Sequence, residues 1–464
     1  MNRAPGSFRD PEAHVYATSD RVFRGISRDR ADWFRSFLQS SFFRERAGIH
    51  IVNTQEISPD DVLAAGISME TVQAYGMWVE HEPLPFISYP YEWSFEALKA
   101  AARLTLRLLI DALDNGYTLQ DGSAYNVQFI HSNPVFMDVP SFCEYREGEP
   151  YLGYKQFCEH FLAPLCLTAF SGIDFNQWFR GRLDGLDIME VSAALPVSSC
   201  LRPQVLMHIH LQAWAMYKME AAVDDSQRRK PRAVPRKNLR ALALGLRKFI
   251  GALQRRRRSY WQRYDKHKVY DDTSQADKLR IARDFVKTNK LQTLVDLGCN
   301  TGKYCEAALR AGVKQIIGLD LDCGAVDIAS REARHCAWPA QFLHFDIANP
   351  TPDQGWGHGE RTALEKRLGQ RDGLFCFALI HHLVIGRNIP MQELIDWVCA
   401  LAPRGLIEFV PKTDPMVQGL LIHREDIFRD YTRDNFERKL GDACVQVKMH
   451  KLHSTDRVIY EYVR

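Results

Sequence analysis

The sequence lacks long apolar runs, paired cysteines and an apolar leader, and each absence excludes a class of protein. No apolar run approaches the roughly 20 residues that span a bilayer, and the opening residues MNRAPGSFRDPEAH lack the apolar core of a signal peptide. The 11 cysteines form no CxxC pair, which argues against a structural zinc site and against a disulfide framework. We therefore expect a cytoplasmic protein with no bound metal, whose cysteines are mostly small buried hydrophobes.

Net charge is also small, at +3, but the charges are unevenly distributed. Residues 228–268 contain 16 lysines or arginines and one acid, so the rest of the chain is net acidic. Pro231 and Pro235 open this block, and apolar residues then recur with the spacing of one helix face, at Leu239, Leu242, Leu246, Phe249, Ile250 and Leu253. The block predicts a basic linker helix, which is either a solvated connector or a contact for a polyanion such as RNA or an anionic surface.

A chain of 464 residues is too long for one ordinary core, so we expect two domains and a connector. We place them at residues 1–225, 226–268 and 269–464. In the last part, short apolar runs alternate with helix-length segments, at 293–297, 315–319, 341–345, 374–380 and 405–410. This alternation predicts an α/β fold with a parallel sheet and crossover helices, and two final segments around a polar turn predict a terminal antiparallel hairpin.

A glycine turn follows the first of these strands, in LVDLGCNTGKY. It differs from the dinucleotide fingerprint because Asn300 replaces the middle glycine, and from the Walker loop because only three residues separate its glycines. Gly298 lets the backbone approach a ligand, and a helix starting near Gly302 offers free N–H groups. With Asp296 at the strand end, the turn suits an amino acid, whose ammonium would face the carboxylate and whose carboxylate would face the amides.

Two more acids follow the next two strands. Asp320 ends the second strand in IIGLDLD, where a carboxylate can accept hydrogen bonds from both hydroxyls of a ribose. Asp346 ends the third in FLHFDIA, where it can accept a hydrogen bond from the exocyclic amine of adenine. An amino acid, a ribose and an adenine together describe S-adenosylmethionine.

Through VDLGCNTGKY, IGLDLD, HFDIA and FALIHHL, in this order, residues 270–464 resemble the class I S-adenosylmethionine-dependent methyltransferases. The resemblance implies a Rossmann-like, seven-stranded sheet whose last strand is antiparallel. It also implies methyl transfer by in-line displacement, which mainly requires positioning and the exclusion of water. The predicted cofactor-binding residues are Asp296, Gly298, Asn300, Gly302, Asp320 and Asp346.

The acceptor side is expected after the fourth strand, because pockets in such sheets open at the C-terminal ends of the strands. His381 and His382 are the candidate catalytic residues, since a histidine there could take a proton from a hydroxyl acceptor. Either could instead cap the strand or pack beneath the cofactor. Glu408 and Asp414, in IEFVPKTDP after the fifth strand, could line the same pocket.

The N-terminal part has its own signature, in GYTLQDGSAYNVQFIHSNPVFMDVPSF. Asp121, Asn126 and Asp138 resemble the catalytic loop and metal-binding aspartate of protein-kinase-like and aminoglycoside-phosphotransferase-like folds. However, the usual histidine before the loop is absent, no lysine occurs before Lys99, and Val-Pro follows Asp138. We therefore predict a degenerate kinase-like α+β domain that recognises the acceptor. A coincidental match in an unrelated helical domain is the alternative.

Over most of its length the chain also resembles a bacterial group of nodulation-type or otherwise uncharacterised methyltransferases, through ISYPYEWSFEALKAAARLTL, DGSAYNVQF and PVFMDVPSF. Such a group favours a glycan hydroxyl or a small molecule as the unidentified acceptor. Two other functions remain open. One is a bifunctional kinase and methyltransferase acting on a glycan or a lipid-linked intermediate, and the other is a non-catalytic cofactor-binding scaffold held on RNA or membrane by the basic helix.

Overall fold

The computed structural model describes residues 3–18, 20–221, 233–256, 272–422 and 424–464. So far as they are described, these residues form two compact units. The first unit contains residues 1–91, 95–256 and 353–362, and the second contains 92–94, 257–352 and 363–464.

The first unit mixes strands and helices, which confirms the α+β prediction. Its strands are β1 (Ala13–Ala17), β2 (Val22–Ile26), β3 (Thr54–Ile57), β4 (Met77–His81), β5 (Tyr117–Leu119), β6 (Val127–Ile130), β7 (Asn133–Phe136) and β8 (Phe142–Glu144). Its helices are α1 (Arg28–Gln39), α2 (Ser41–Arg44), α3 (Pro59–Ala64), α4 (Met69–Ala74), α5 (Phe95–Asp114), α6 (Tyr154–Phe157), α7 (Ala163–Cys166), α8 (Asn176–Gly181), α9 (Ile188–Ala194), α10 (Pro203–Val205), α11 (Leu211–Ala221) and α12 (Arg236–Ala252).

An antiparallel sheet with the order β1-β2-β4-β3 forms one part of this unit. The helix that follows β3 starts where its sequence provides a cap: the Ser58 hydroxyl accepts the Asp61 N–H at 3.1 Å, and proline occupies the first helical position. Strands β5–β8 and β6–β7 form two short antiparallel pairs. Asp121 follows β5 and Asp138 follows β7, so both acids lie just beyond strand ends.

Helix α12 is the described part of the predicted basic linker. Its apolar face is buried at Leu239, Ala243, Leu246 and Ile250, and it packs against α5 within the first unit. Arg240 pairs with Asp114 at the end of α5, with 2.8 Å between Nε and Oδ1. The described helix is therefore docked on a neighbouring helix. Residues 228–232 and 257–268 lie outside the described residues, and the three-part domain division stays a prediction.

A segment from the C-terminal half of the sequence, residues 353–362, belongs to the first unit. There Glu360 accepts a hydrogen bond from Arg9, with 2.7 Å between Nε and Oε2. The guanidinium of Arg361 lies over the ring of Tyr125, 4.1 Å from its centroid. Sequence patterns gave no sign of this long-range association.

The second unit is built from alternating strands and helices. Its strands are β9 (Thr293–Leu297), β10 (Gln315–Asp320), β11 (Ala340–His344), β12 (Gly373–Cys376), β13 (Arg404–Phe409), β14 (Gln446–Lys451) and β15 (Val458–Val463). Its helices are α13 (Asp272–Asn289), α14 (Lys303–Ala311), α15 (Cys323–His335), α16 (Leu364–Leu368), α17 (Ile380–Arg387), α18 (Met391–Leu401), α19 (Pro415–Leu421) and α20 (Arg433–Ala443).

A seven-stranded sheet with the order β11-β10-β9-β12-β13-β15-β14 forms the centre of the second unit. Strands β9 to β13 pair in parallel, whereas β15 is antiparallel to β13 and to β14. Residues of the parallel strands are almost all buried, as expected for strands covered by helices on both faces. The predicted sheet and terminal hairpin are confirmed. The chain leaves β9 in one direction to β10 and returns to its other side at β12, and ligands bind at such reversals.

One predicted strand extends too far. The apolar run 374–380 suggests a strand along its whole length, but β12 ends at Cys376 and α17 begins at Ile380. Between them Ala378 has a φ of +47°, which turns the chain out of the strand. Periodicity could not find this bend because apolar residues continue through it.

Within the described ranges, no helix is both long enough and apolar enough to cross a bilayer. All eleven cysteines are free thiols, and most of them are buried.

Candidate active site

A cavity of about 560 Å³ opens at the C-terminal ends of β9, β10, β11 and β12. The glycine turn, the loops after β10 and β11, and the start of α17 form its walls. Among the residues predicted from the sequence, those that line it are Gly298, Asn300, Asp320, Asp346 and His382. The cavity therefore lies where the strand order reverses, as expected for a sheet of this type.

The glycine turn is held against the neighbouring strand. The N–H groups of Gly298 and Cys299 both donate to the carbonyl of Leu319, at 2.8 and 3.0 Å. Gly298 and Gly302 have φ values of +76° and +84°, a region that favours glycine. A Cβ atom at position 302 would also lie 3.0 Å from the Phe342 ring. These constraints place the start of α14 and its free N–H groups beside the cavity.

Asp320 connects this turn to the next loop. Its carboxylate accepts the N–H of Asn300 through Oδ2 and the N–H of Asp322 through Oδ1, both at 2.8 Å. Burial nevertheless raises its pKa to about 6, against the effect of these two donors. A carboxylate has about four lone-pair positions, so both oxygens can accept further hydrogen bonds.

Asp346 lies across the cavity, after β11. Its Oδ1 accepts the N–H of Ala348 at 3.0 Å, and its Oδ2 is 3.4 Å from Nη2 of Arg387. Arg387 also lines the cavity. The carboxylate is thus oriented by its own loop and partly neutralised by one cation.

Asp296 lies behind the turn and does not line the cavity. The residue is 1% exposed, and its Oδ2 accepts a hydrogen bond from the thiol of Cys305 at 3.1 Å. Burial raises its pKa to about 7. From the sequence we expect this carboxylate to face the ammonium group of an amino acid. In the structure it lies in the packed interior of the unit instead.

The two candidate catalytic histidines have different surroundings. His382 lines the cavity, whereas His381 is 1% exposed and neither of its ring nitrogens has a hydrogen-bond partner among the described residues. Burial, aided by the positive charge of Arg457, lowers the pKa of His382 to about 4. Burial also lowers the pKa of His381 well below its usual value. Both imidazoles are therefore neutral at pH 7.

Glu408 and Asp414 form salt bridges beside the cavity rather than lining it. Glu408 is 0% exposed; its Oε2 is 2.7 Å from Nζ of Lys278 and accepts the N–H of Ala378 at 2.9 Å. Asp414 caps α19 and pairs with Arg457, with 2.6 Å between Oδ2 and Nε. Glu408 therefore supports the strained backbone at the end of β12.

Lys278 is a cavity residue that the sequence argument missed. It lies on α13, and its Nζ is 5.0 Å from the ring centroids of both Tyr304 and Phe377. All three residues line the cavity. No sequence signal distinguishes Lys278 from the other charged residues of α13, because its partner Glu408 is 130 residues away.

In the first unit, the side chains predicted to recognise an acceptor lie in a polar cluster beyond the ends of β5 and β7, where Asp121 is exposed and Asn126 and Asp138 are partly buried. Asp138 pairs with Arg24 of β2, with 2.6 Å between Oδ1 and Nη1. Burial, followed by the charge of Asp138, raises the pKa of Asp121. The side-chain amide nitrogen of Asn126 is buried and has no hydrogen-bond partner among the described residues. No sequence signal identifies Arg24, because a kinase-like fold leads one to expect a lysine and its partner Asp138 is 114 residues away.

Among the residues that the structure describes, no group of three or more histidine, cysteine or acidic side chains could hold a metal ion.

Comparison with known proteins relates the chain to methyltransferases. A family described as a methyltransferase domain matches residues 295–407. The nodulation protein NoeA of Rhizobium meliloti strain 1021 is 35% identical over 468 residues, covering 100% of this chain and 96% of that protein.

Two solved structures have a more distant likeness. The crystal structure of WbdD matches 42% of this chain and 40% of its own, with 16% identity and a TM-score of 0.32. Magnesium protoporphyrin IX methyltransferase from Synechocystis PCC 6803, solved with bound SAM, matches 43% of this chain and 90% of its own, with 18% identity and a TM-score of 0.29.

Proposed function

We propose that this chain, which belongs to the family of the nodulation protein NoeA and has a methyltransferase domain, is an S-adenosylmethionine-dependent methyltransferase. The methyl group would pass to an acceptor bound beside His382. The main support is the convergence of Asp320, Asp346 and the glycine turn on one cavity. When bound, this cofactor would supply a methyl group carried on a sulfonium.

The polar groups of the cavity fit the nucleoside part of the cofactor. Asp320 would accept hydrogen bonds from the ribose hydroxyls, since its oxygens retain acceptor capacity after binding two backbone N–H groups. Asp346 would accept a hydrogen bond from the amine of adenine. The positive φ values at Gly298 and Gly302 would let the backbone between them approach the ligand.

The amino-acid end of the cofactor requires an assignment different from the one suggested by the sequence. Asp296 is enclosed, so we assign it a supporting role behind the turn. Lys278 lines the cavity and supplies a cation there, beside the rings of Tyr304 and Phe377. We propose that Lys278 and the amides around Asn300 face the carboxylate of the amino acid.

On the acceptor side, His382 is the cavity histidine. Because its pKa is lowered to about 4, it is uncharged at pH 7 and offers a lone pair rather than a positive charge. We propose that it accepts a hydrogen bond from the acceptor and orients it. Leu379, Leu383 and Leu420 line the same cavity and exclude water from it. His381 supports this wall from the interior.

We further propose that the first unit recognises the acceptor through Asp121, Asn126 and Asp138. Carboxyl and amide groups that are exposed or only partly buried are accessible to a hydroxyl-rich ligand, which agrees with a glycan as the favoured acceptor. The guanidinium of Arg24 already pairs with the Asp138 carboxylate, which a magnesium ion would need as a ligand. The cluster therefore favours acceptor recognition over magnesium-dependent phosphoryl transfer. Contact of residues 228–268 with a polyanion stays a prediction, since much of that block lies outside the described residues.

Binding of S-adenosylhomocysteine to Asp320→Ala tests the cofactor assignment. Two hydrogen bonds to a charged group are worth about 3 kcal/mol or more together, so the affinity measured by calorimetry should fall at least about 100-fold. Asp284→Ala, on the exposed side of α13, is the matched control and should bind normally. Unchanged affinity in Asp320→Ala would contradict the ribose assignment.

The acceptor can be found with methyl-labelled cofactor and fractionated cell lysate. Label is expected in a glycan or small-molecule fraction, whereas label in RNA or protein would contradict the favoured acceptor class. Once the acceptor is known, Asp121→Ala should raise its KM. If both acceptor affinity and turnover stayed unchanged, the first unit would have no role in recognition.

A further inference from the structure

Two cysteines of the second unit lie in sulfur–sulfur contact away from the cavity. Cys399 is in the last turn of α18, and Cys444 directly follows α20, two residues before β14 begins. Their Sγ atoms are 3.6 Å apart. A disulfide has an S–S bond of about 2.05 Å, so closing the pair requires the sulfurs to approach by about 1.5 Å.

The surroundings make the two thiols unequal. The hydrogen bond with Cys399 lowers the pKa of Cys444, and the positive charge of Arg464 adds to this effect, while burial and Asp396 oppose it. The same hydrogen bond and burial raise the pKa of Cys399. Cys399 is 2% exposed, whereas Cys444 is only partly buried. Cys444 is therefore the nucleophile of the pair, because the thiolate is the reactive form of cysteine.

We propose that Cys399 and Cys444 are a redox-sensitive dithiol that forms a reversible intramolecular disulfide when the protein meets hydrogen peroxide. The thiolate of Cys444 attacks one peroxide oxygen, the O–O bond breaks, and a sulfenic acid forms as hydroxide leaves and is protonated to water. The sulfur of Cys399 then attacks the Cys444 sulfur, the S–O bond breaks, and the hydroxyl leaves as water with the thiol proton. Two thiols are oxidised and one peroxide is reduced to two waters.

The disulfide would connect two elements that are otherwise joined by contacts alone. It would tie the end of α18 to the end of α20, across a chain segment that includes β13 and α19. Such a crosslink restricts the unfolded chain, so the oxidised protein should unfold at a higher temperature than the reduced protein. The pair belongs to neither the cavity nor the polar cluster of the first unit.

Peptide mapping of the purified full chain tests the proposal. The protein is treated with a small excess of hydrogen peroxide, unreacted thiols are alkylated, and the digest is analysed by mass spectrometry with and without reductant. The expected product is one crosslinked peptide pair joining Cys399 and Cys444, with the loss of two hydrogen atoms, which disappears on reduction. Crosslinks between other cysteines, or sulfinic acid at Cys444 with Cys399 still alkylated, would overturn it.

Single substitutions separate the pair from the other thiols. Cys399→Ser should leave Cys444 as a stable sulfenic acid that a dimedone probe traps, and Cys444→Ser should leave Cys399 unreactive. Cys336→Ser is the matched control, since Cys336 is exposed and lies on another helix end, and it should form the crosslink like the unmodified chain. The rise in unfolding temperature on oxidation should occur only in chains with both Cys399 and Cys444. A rise that persists in either serine variant would also contradict the proposal.

Discussion

The enclosed carboxyl of Asp296 predicts a substitution that stabilises the protein mainly at high pH. Its pKa is about 7 in the folded chain because of burial, compared with an ordinary value of 3.8. The unfolded chain therefore releases this proton at lower pH than the folded chain does. The free energy of unfolding therefore falls as the pH rises from about 3.8 to about 7. A difference of about three pKa units between the folded and the unfolded chain corresponds to a total loss of about 4 kcal/mol.

Asp296→Asn removes this ionisation while keeping nearly the same shape. Between pH 5 and pH 8.5 the free energy of unfolding of the unmodified chain should fall by about 3 kcal/mol, since about two pKa units of the shift lie in this range. The variant should show no such fall. The side-chain amide of the variant introduces an N–H₂ donor for which the site has no established acceptor. Burying such a donor lowers the free energy of unfolding by about 1–3 kcal/mol at every pH. The variant should therefore be close to neutral at pH 5 and more stable than the unmodified chain, by about 1 kcal/mol or more, at pH 8.5.

Urea unfolding at pH 5, 7 and 8.5 measures this difference directly. Asp284→Asn changes an exposed carboxylate on α13 and should show no comparable pH-dependent gain. The affinity of Asp296→Asn for S-adenosylhomocysteine should stay within about threefold, because the carboxyl does not reach the cavity. A stability difference that is constant with pH, together with a large loss of affinity, would show that Asp296 contacts the ligand as the sequence suggested.

Three further predictions concern the cavity walls. His382 should contribute no inflection to the pH profile of methyl transfer between pH 8 and about 5.5, because its pKa is about 4 and its neutral form persists. Asp320, whose pKa is about 6, titrates in this range, so His382→Gln should lower the rate but keep the shape of the profile; loss of an inflection in that variant would contradict this. Gly302→Ala should cost about 1–3 kcal/mol in urea unfolding, because its φ is +84° and the new Cβ would lie 3.0 Å from an aromatic ring. Gly66→Ala, at a similar φ of +87° but with open space around it, should cost less. Lys278→Met should cost about 3 kcal/mol, because it removes the partner 2.7 Å from Glu408 and leaves this buried carboxylate with Arg457 at 3.9 Å. Adding Glu408→Gln should recover part of this loss, and no recovery would contradict the pairing.

Local patterns were sufficient for much of the second unit. The apolar runs predicted β9 with the observed bounds, and the glycine turn followed from the spacing of Gly298 and Gly302 after it. Their positions depend on neighbours in sequence, which a single chain reveals. Asp320 and Asp346 reached the same cavity for a similar reason, because parallel strands bring their C-terminal ends to one edge of a sheet.

The burial of individual side chains and the ion pairs between residues distant in sequence could not be predicted in this way. A strand pattern does not tell how far a carboxylate such as Asp296 lies from a ligand once helices cover both faces of the sheet. Glu408 was expected beside the acceptor, but its partner Lys278 lies on a helix that precedes the sheet. Arg24 meets Asp138 across 114 residues, which no motif spacing records.

The passage of the chain between its two units has a practical consequence for making fragments of it. Residues 92–94 and 353–362 each belong with the unit opposite to the sequence around them, so one cut in the gene cannot deliver either unit whole. A fragment ending at residue 225 would also lose α12 and leave the apolar side of α5 facing water. Expression of such a piece should give aggregation. An exchange of the methyltransferase portion between relatives would need to move residues 92–94 with it and to leave residues 353–362 with the first unit.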